Sequence, residues 1–500
     1  MSPPGLNSER PVRFDGSRLS LEDVVALSRQ ERAAELGTSP DFRQRIRRGA
    51  AFLDRLLAEE GHIYGVTTGY GDSVTVAVPP ELIPELPHHL YAYHGIGAGR
   101  FLTPEETRAV LATRLASLAQ GVSGVGLELL AQLEALLRHD ILPLIPAEGS
   151  VGASGDLTPL SYVAAVLCGE REVWHRGERR SAAEVLARHG LAPLRLRPKE
   201  GLAIMNGTAV MTALACLAWA RADYLCRLGT RLTAFNVVAS DGNAHHFDEA
   251  LFALKPHAGQ QRVAARLRQD LAAGRPRRDE QRLQDRYSLR CAPHVLGVLE
   301  DALPFFRALI ENELNSANDN PLIDPDGERV LHGGHFYGGH IAFAMDGLKT
   351  AVANVADLLD RQLALLVDAR FNHGLKALQI SVSAWTAEAL KQTMPASVFS
   401  RSTECHNQDK VSMGTIAARD CLRVLELSEQ VVAAMLIAAR QGLALRERVA
   451  GGLNLSPALA SMRHDLERRI PLVEEDRALD GELRALVGAI REREWTLYEA

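Results

Sequence analysis

Apolar residues recur at helical spacing over long stretches of this chain. Across residues 341–369 one apolar face continues for about eight turns without a proline. Residues 411–449 repeat this behaviour, and strand patterns are few. The face of the first stretch consists of Met345, Leu348, Val352, Val355, Leu359, Leu363 and Leu366. The pattern predicts an all-α protein built as a long-helix bundle, and helices of this length usually bury their apolar faces against partner subunits.

Composition and charge narrow the classes of function. The chain of 500 residues has 56 Lys and Arg against 62 Asp and Glu, with no basic block, which disfavours a nucleic-acid surface or a polybasic membrane patch. The first residues lack a secretory-signal pattern, and the longest apolar run, at 431–439, is too short to span a bilayer. We therefore expect a cytoplasmic protein with small neutral or zwitterionic partners. Six cysteines without CxxC spacing predict free buried thiols rather than disulfides or a zinc site.

The most unusual local feature is the loop "PAEGSVGASGDLTPLSY" at residues 146–162, which follows a leucine-rich helix pattern. It fails as a Gly-x-Ser-x-Gly nucleophile elbow because its last position is aspartate. It is also a weak anion cradle, since it has Pro159 and no lysine. A third chemistry uses the backbone: the nitrogen of Gly155 attacks the carbonyl carbon of Ala153, and loss of water and of the Ser154 hydroxyl leaves a ring with an exocyclic methylidene. Each residue type suits that chemistry, because glycine does not obstruct the attack, alanine is small and serine carries a leaving oxygen.

This loop resembles the self-processing Ala-Ser-Gly loop of the aromatic amino acid and histidine ammonia-lyases. Further motifs agree in order over residues 60–420: "IYGVTTGYG", "AIMNGT", "LQDRYSLRCAPHVLG", "NSANDNPLI" and "HNQDKVSMGT". The resemblance implies a fumarase/aspartase-like helical architecture with a smaller N-terminal domain that carries the loop. It also implies a 4-methylideneimidazol-5-one (MIO) group formed autocatalytically from Ala153-Ser154-Gly155, and a homotetramer with sites shared between subunits.

The resemblance assigns roles to residues of the N-terminal half and the central loop. Tyr64 is implied as the catalytic base that removes a β-proton from the substrate, which requires a buried, polar or electropositive setting for a group with a pKa near about 10. Asn206 is implied to lie against the prosthetic ring and to bind substrate. Phe336 is implied to support the ring. In isolation each of these could be an ordinary packed or hydrogen-bonded residue.

A second set of implied site residues lies together on one later segment. Arg290 is implied to bind the substrate carboxylate in a bidentate pair, for which a guanidinium is better shaped than an ammonium. Tyr287 is implied as a catalytic residue and Gln284 as a substrate-binding residue of the same segment. Ordinary hydrogen bonding at a helix end is the alternative for each of them.

Two positions bear on the substrate. Tyr93-His94 occupies the pair that reads the substrate side chain, where the family's histidine enzymes tend to have Ser-His, tyrosine enzymes His-Leu and phenylalanine enzymes Phe-Leu. Gln408 stands where histidine enzymes carry a glutamate, and a neutral amide gives imidazolium no counter-charge. We expect tyrosine as substrate, with phenylalanine tolerated, because His94 can hydrogen-bond a phenol and Tyr93 supplies aromatic surface. Histidine ammonia-lyase, a 2,3-aminomutase and an inactive helical scaffold stay open.

The remaining expectations concern organisation and metals. We expect two domains, residues 1–205 with the tyrosine and prosthetic-group loops and residues 206–500 with the central bundle and C-terminal helices. The charged run at 268–286 is expected to be a solvated loop or a lid. A connection that relatives have is shortened around Asn372–Lys376, which bears on activity or assembly. The histidines of "LHGGHFYGGH" lack a nearby acidic partner in an HExxH-like arrangement, and so we expect no metal. The run "GIGAGR" from Gly95 is a broken dinucleotide fingerprint without a preceding strand, and so we expect no nucleotide cofactor.

Overall fold

Helices dominate the computed structural model, which describes residues 10–59, 62–272, 283–367 and 374–498. In chain order the α-helices are α1 Leu21–Ser28, α2 Pro40–Glu59, α3 Leu86–Tyr93, α4 Pro104–Leu118, α5 Leu127–Arg138, α6 Leu157–Leu167, α7 Ala182–Arg188, α8 Glu200–Met205, α9 Ala209–Ala239, α10 Glu249–Ala253, α11 Ala258–Leu271, α12 Tyr287–Arg290, α13 Ala292–Leu314, α14 Gly339–Leu366, α15 Lys376–Lys391, α16 Gly414–Ala450, α17 Pro457–Arg469 and α18 Asp480–Arg491. Helix α14 contains residues 341–366 of the first apolar stretch, and α16 contains residues 414–449 of the second. The predicted helical fold is confirmed.

The strands are short and form small local sheets. They are β1 Val12–Phe14, β2 Ala34–Leu36, β3 Ala98–Phe101, β4 Leu142–Pro143, β5 Pro146–Glu148, β6 Glu172–His175, β7 Glu178–Ser181, β8 Leu322–Asp324 and β9 Arg329–Leu331. β1 pairs with β2 in parallel; β3 with β5, β4 with β6, β6 with β7 and β8 with β9 pair antiparallel. The β3–β5 pair matters for the site, because β5 leads directly into the loop that contains Ala153-Ser154-Gly155.

The chain divides into two compact units. The first comprises Met1–Leu217, Arg307–Met345 and Pro395–Arg419, and the second comprises Ala218–Phe306, Asp346–Met394 and Asp420–Ala500. The divisions fall inside α9, α13, α14 and α16 and before Pro395. They differ from the division at residue 205 that the sequence suggests, and that division stays a prediction.

Helix α4 organises the core of the first unit. A capping box starts it: the Thr103 hydroxyl accepts from the Glu106 N–H at 3.2 Å, and the Glu106 carboxylate accepts from the Thr103 N–H at 2.7 Å. Its residues 109–118 are buried on every face, with α1 and α5 packed against it. A helix buried all round must satisfy any charge it carries inside the protein, which makes its Arg114 a residue of interest.

The second unit holds its long helices together with a buried charge cluster. Lys349 on α14 is fully buried and lies 2.9 Å from the Asp346 carboxylate and 3.2 Å from that of Asp420 on α16. Its ammonium also donates to the Met394 carbonyl at 2.8 Å. Two carboxylates and a carbonyl satisfy this ammonium, as a buried charge requires.

The structure tests several of the sequence-based expectations only in part. Residues 273–282 of the charged run, and Asn372 and His373 of the shortened connection, lie outside the described residues. Cys405 is exposed, against the expectation of buried thiols, because it lies in a surface turn. Within the described part of the chain, α9 is long and apolar enough to cross a membrane by length and composition, and 83% of its most apolar stretch is buried inside the protein.

Candidate active site

A cavity of about 740 Å³ in the first unit brings together most of the residues that the sequence singled out. Four segments form most of its wall, and Asn320 and Phe336 complete it. The segments are the tyrosine loop, the end of α3, the Ala-Ser-Gly loop with the end of α8, and residues 404–410. The predicted site residues that line it are Tyr64, Tyr93, His94, Ala153, Ser154, Asn206, Phe336 and Gln408. The motifs are therefore adjacent in space although they span nearly 350 positions of sequence.

The Ala-Ser-Gly loop approaches a neighbouring backbone so closely that glycine is required. Gly155 has a φ of +71° and forms a bridge with Gly207. A Cβ on Gly155 would lie 2.0 Å from the Gly207 carbonyl oxygen, a distance that no side chain can occupy. Glycine at this position thus permits both the left-handed conformation and the close approach.

Two donors converge on the Ser154 carbonyl oxygen. The Asn206 side-chain amide donates to it at 2.8 Å, and the Gly207 N–H donates to it at 3.2 Å. This is the arrangement of an oxyanion hole, in which fixed donors point at an oxygen that gains negative charge. The other side-chain atom of Asn206, Oδ1, is buried without a hydrogen-bond partner among the described residues.

Asp156 fixes the position of the loop through hydrogen bonds. Its fully buried carboxylate accepts from the Val210 and Met211 N–H groups at 3.0 Å each, which are the first turn of α9. It also accepts from the hydroxyls of Thr415 and Ser150. Burial raises the pKa of Asp156, and these four donors oppose the rise. The helix N-terminus favours the charged form.

A left-handed turn at residues 403–408 carries Gln408 to the loop. Glu404, Cys405 and His406 have φ values of +48°, +53° and +66°, which non-glycine residues seldom adopt in succession. The turn closes through mutual backbone hydrogen bonds of 2.9 and 3.2 Å between Thr403 and Gln408. The Gln408 side-chain amide donates to the Ser154 hydroxyl at 3.2 Å. This hydroxyl is the group that ring formation must expel.

Tyr64 lies on the tyrosine loop with its hydroxyl oxygen held by the backbone. The Gly71 N–H donates to that oxygen at 2.8 Å, and the next N–H, of Asp72, is held by both carboxylate oxygens of Glu404 at 3.0 and 3.1 Å. Burial raises the pKa of Tyr64, the Gly71 N–H partly lowers it, and the Glu404 charge raises it further. Sequence reasoning missed Glu404, which stands four residues before Gln408 and just outside the "HNQDKVSMGT" motif.

Tyr93 and His94 form one aromatic wall, with ring centroids 4.4 Å apart. Burial raises the pKa of Tyr93 to about 12. The Nδ1 of His94 lies 2.9 Å from the Leu90 carbonyl oxygen, which can only accept, so Nδ1 carries the proton. Burial lowers the pKa of His94, so the ring is neutral at pH 7. Its Nε2 is therefore an acceptor.

The second predicted set lies in the other compact unit. Arg290 donates through Nε to the Asp285 carbonyl at 3.0 Å, and its guanidinium stacks over the Tyr287 ring at 4.6 Å. Tyr287 is 71% exposed, and Gln284 is exposed as well. None of these three residues is among those that line the cavity of the first unit.

The described residues offer a fitting environment for MIO and no evident metal site. No group of three or more His, Cys, Asp or Glu within the described ranges could hold a metal ion. Three features around the loop suit an electrophilic ring built from Ala153-Ser154-Gly155. They are the two donors to the Ser154 oxygen, the unpaired Asn206 Oδ1 and the absence of a Cβ at Gly155. A helical fold with this loop at a cavity that also contains Tyr64 is the arrangement that the resemblance to the ammonia-lyases implies, and ammonia-lyases are carbon–nitrogen lyases.

The chain belongs to the aromatic amino acid lyase family, whose sequence pattern matches residues 19–468. The family depends on MIO. A histidine ammonia-lyase of Shouchella clausii is 34% identical over 495 residues, which cover 96% of this chain and 98% of that protein. The tyrosine aminomutase of Streptomyces globisporus has a similar structure, with a TM-score of 0.89, 32% identity and 97% of both chains covered. The histidine ammonia-lyase of Trypanosoma cruzi matches with a TM-score of 0.88, 31% identity, 97% of this chain and 94% of that chain.

Proposed function

We propose that this protein is an ammonia-lyase that converts L-tyrosine to p-coumarate in the cytoplasm, with L-phenylalanine to cinnamate as a side activity. The observation that carries the substrate is the neutral His94, whose Nε2 can accept a hydrogen bond from a phenol hydroxyl. Gln408 supports it, because the side chain that contacts Ser154 is a neutral amide and therefore offers no charge to pair with an imidazolium at that position.

In this proposal the prosthetic group, formed autocatalytically from Ala153-Ser154-Gly155, supplies an electrophilic methylidene for the substrate amine. The chain's own residues orient the substrate and move its protons. Asn206 Oδ1, buried and without a partner among the described residues, accepts an N–H of the amine. The ionised Tyr64 oxygen takes the β-proton; the C–N bond breaks, its electrons leave with ammonia, and the aryl acrylate forms. The raised pKa of Tyr64 makes its oxygen a strong proton acceptor once it is ionised.

The proposal includes a homotetramer in which Arg290, Tyr287 and Gln284 complete the site of another copy. Exposed apolar side chains on helices of the second unit support association: Val298 and Phe305 on α13 and Ile380 on α15. Light scattering should give four times the chain mass of 54.5 kDa. Mixing inactive Tyr64→Phe and Arg290→Gln chains during refolding should restore activity if sites are shared. Two inactive variants that stay inactive together would contradict sharing.

The test of the substrate is to incubate purified protein with L-tyrosine, L-phenylalanine and L-histidine separately and to follow the absorbance of each acrylate. Tyrosine should lead, phenylalanine should follow and histidine should give nothing. A matched variant, His94→Leu, removes the acceptor and should lower the tyrosine rate relative to phenylalanine. Histidine turnover by the unmodified protein would refute the argument from Gln408.

Two rival functions have specific support. Histidine ammonia-lyases of Caenorhabditis elegans and Shouchella clausii are similar to this chain over 96% of its length, which favours urocanate formation. Solved structures of tyrosine aminomutases favour return of the amine to the β-carbon. Chiral chromatography of the tyrosine reaction separates the last case, because an aminomutase accumulates β-tyrosine whereas a lyase accumulates only p-coumarate and ammonia.

A further inference from the structure

Arg114 on α4 is a fully buried charge beside the prosthetic-group loop. Its guanidinium donates to Asn318 Oδ1 at 3.0 Å and to the Ala203 carbonyl at 2.5 Å, and both acceptors are neutral. Its Nε has no hydrogen-bond partner among the described residues. The carboxylate of Asp319, which attracts it, is bound instead by Lys199 at 2.6 Å.

A buried guanidinium bonded only to neutral oxygens is costly for the fold. Removing such a charge from water is paid back only by close opposite charges and complete hydrogen bonding, and here both are partial. Burial lowers the pKa of Arg114 to about 10, and so the group stays charged at neutral pH. A costly charge in this position suggests a task beyond stability.

The geometry connects Arg114 to the Ser154 carbonyl through Gly207. A Cβ on Gly207 would lie 2.2 Å from Arg114 Nη1, so the guanidinium lies within about 4 Å of the Gly207 Cα. The Gly207 N–H donates to the Ser154 oxygen at 3.2 Å. Arg114 Nη1 is therefore close to the Asn206–Gly207 turn, whose donors bind the Ser154 oxygen. By these bond lengths, Nη1 lies at most about 9 Å from that oxygen.

We propose that Arg114 is a positioning residue for ring formation: its buried guanidinium fixes the Asn206–Gly207 turn and provides the positive charge that stabilises negative charge on the Ser154 carbonyl oxygen. The inference rests on the proposed function, because the ring is part of it. It concerns how the chain makes its prosthetic group and not which substrate it uses.

Ring formation expels two waters. The Arg114 charge acts on the second of these losses. In the first, the Gly155 nitrogen bonds to the Ala153 carbonyl carbon. The Ala153 oxygen then leaves as water with the protons of the Gly155 and Ser154 nitrogens, and the Ala153 carbon forms a double bond to the Ser154 nitrogen. In the second, the Ser154 Cα–H gives its proton to solvent, its electron pair shifts onto the Ser154 carbonyl oxygen, and then hydroxide leaves from Cβ and takes up a proton. A cation within about 9 Å at a protein dielectric of about 20 should speed that step on the order of tenfold.

The experiment compares Arg114→Gln and Arg114→Lys with the unmodified chain. Arg108→Gln is the control, since Arg108 is on the same helix and pairs with Asp140 at 2.7 Å. Each protein is sampled at short times after synthesis, and intact mass gives the fraction that has lost about 36 Da, two waters. Urea unfolding reports whether each variant is folded.

Arg114→Gln should be folded and form the ring about tenfold more slowly, Arg114→Lys should recover most of the rate, and the Arg108 variant should match the unmodified chain. Ring formation at the normal rate in Arg114→Gln overturns the proposal. So does a folded Arg114→Lys that is as slow as Arg114→Gln, because the charge is then irrelevant. If Arg114→Gln does not fold, a folded Arg114→Lys with near-normal ring formation supports the proposal and a tenfold loss overturns it. An unmodified chain with no mass loss and no turnover refutes the proposed function instead.

Discussion

Replacing Gly155 by alanine tests the close approach that the prosthetic-group loop depends on. On the present backbone the new Cβ would lie 2.0 Å from the Gly207 oxygen and 2.3 Å from its carbon, so backbone must move. The φ of +71° costs about 1–2 kcal/mol for a residue with a Cβ. Displacing packed atoms costs about 1–3 kcal/mol more. We expect Gly155→Ala to lower the free energy of unfolding by about 2–5 kcal/mol and to prevent the two-water mass loss.

Gly177→Ala separates the two contributions. Gly177 has a φ of +80° in the same unit, and nothing lies within 4 Å of an added Cβ. It should therefore lose only about 1–2 kcal/mol and retain the mass loss. Urea unfolding followed by tryptophan fluorescence, with intact mass on the same samples, makes the comparison. Equal destabilisation of the two variants would refute the packing argument, and a normal ring in Gly155→Ala would refute the chemical one.

Three further predictions follow from the site and its surroundings. Asn206→Leu removes one donor from the Ser154 oxygen and should lower the yield or rate of ring formation about 10²–10³-fold, measured by intact mass. Glu404→Gln keeps an acceptor but removes the charge that raises the pKa of Tyr64, so the acid limb of the kcat–pH profile should move to lower pH; an unmoved limb would contradict that link. Burial lowers the pKa values of His139 and His189, whose rings lie 4.5 Å apart. The unfolded chain therefore binds protons first as the pH falls, stability should drop below about pH 6.5, and His189→Gln should make the loss shallower in urea titrations at several pH values.

The helical architecture was predictable because its signal is long and local. α14 and α16 keep an apolar face at 3.6-residue spacing over many turns, and nothing in tertiary packing competes with such a pattern. The small strands were not predictable, because β4 has two residues and exists only through its pairing with β6. Tertiary contacts decide elements of that length.

Eight of the predicted site residues line one cavity, as the motifs suggested, but their chemical states were not predictable. That Tyr64, Ser154 and Gln408 meet at one cavity follows from motif order, whereas the tautomer of His94 depends on a backbone carbonyl that only the fold places beside it. The turn at 403–408 gave no signal, because its left-handed positions carry no glycine or asparagine. Without that turn in view, sequence reasoning had no basis for pairing Glu404 with the Asp72 N–H.

The hydrogen bonds that hold Asp156 and Ser154 have a consequence for how the protein matures. Apart from the local Ser150 hydroxyl, the donors come from residues 206–211 and 408–415, so the loop is fully held only after distant parts of the first unit have come together. A nascent or misfolded chain lacks these hydrogen bonds and should keep its serine intact. The two missing waters would then be a covalent record that an individual molecule once reached its native arrangement, and the fraction of a preparation that carries them would count its correctly folded molecules.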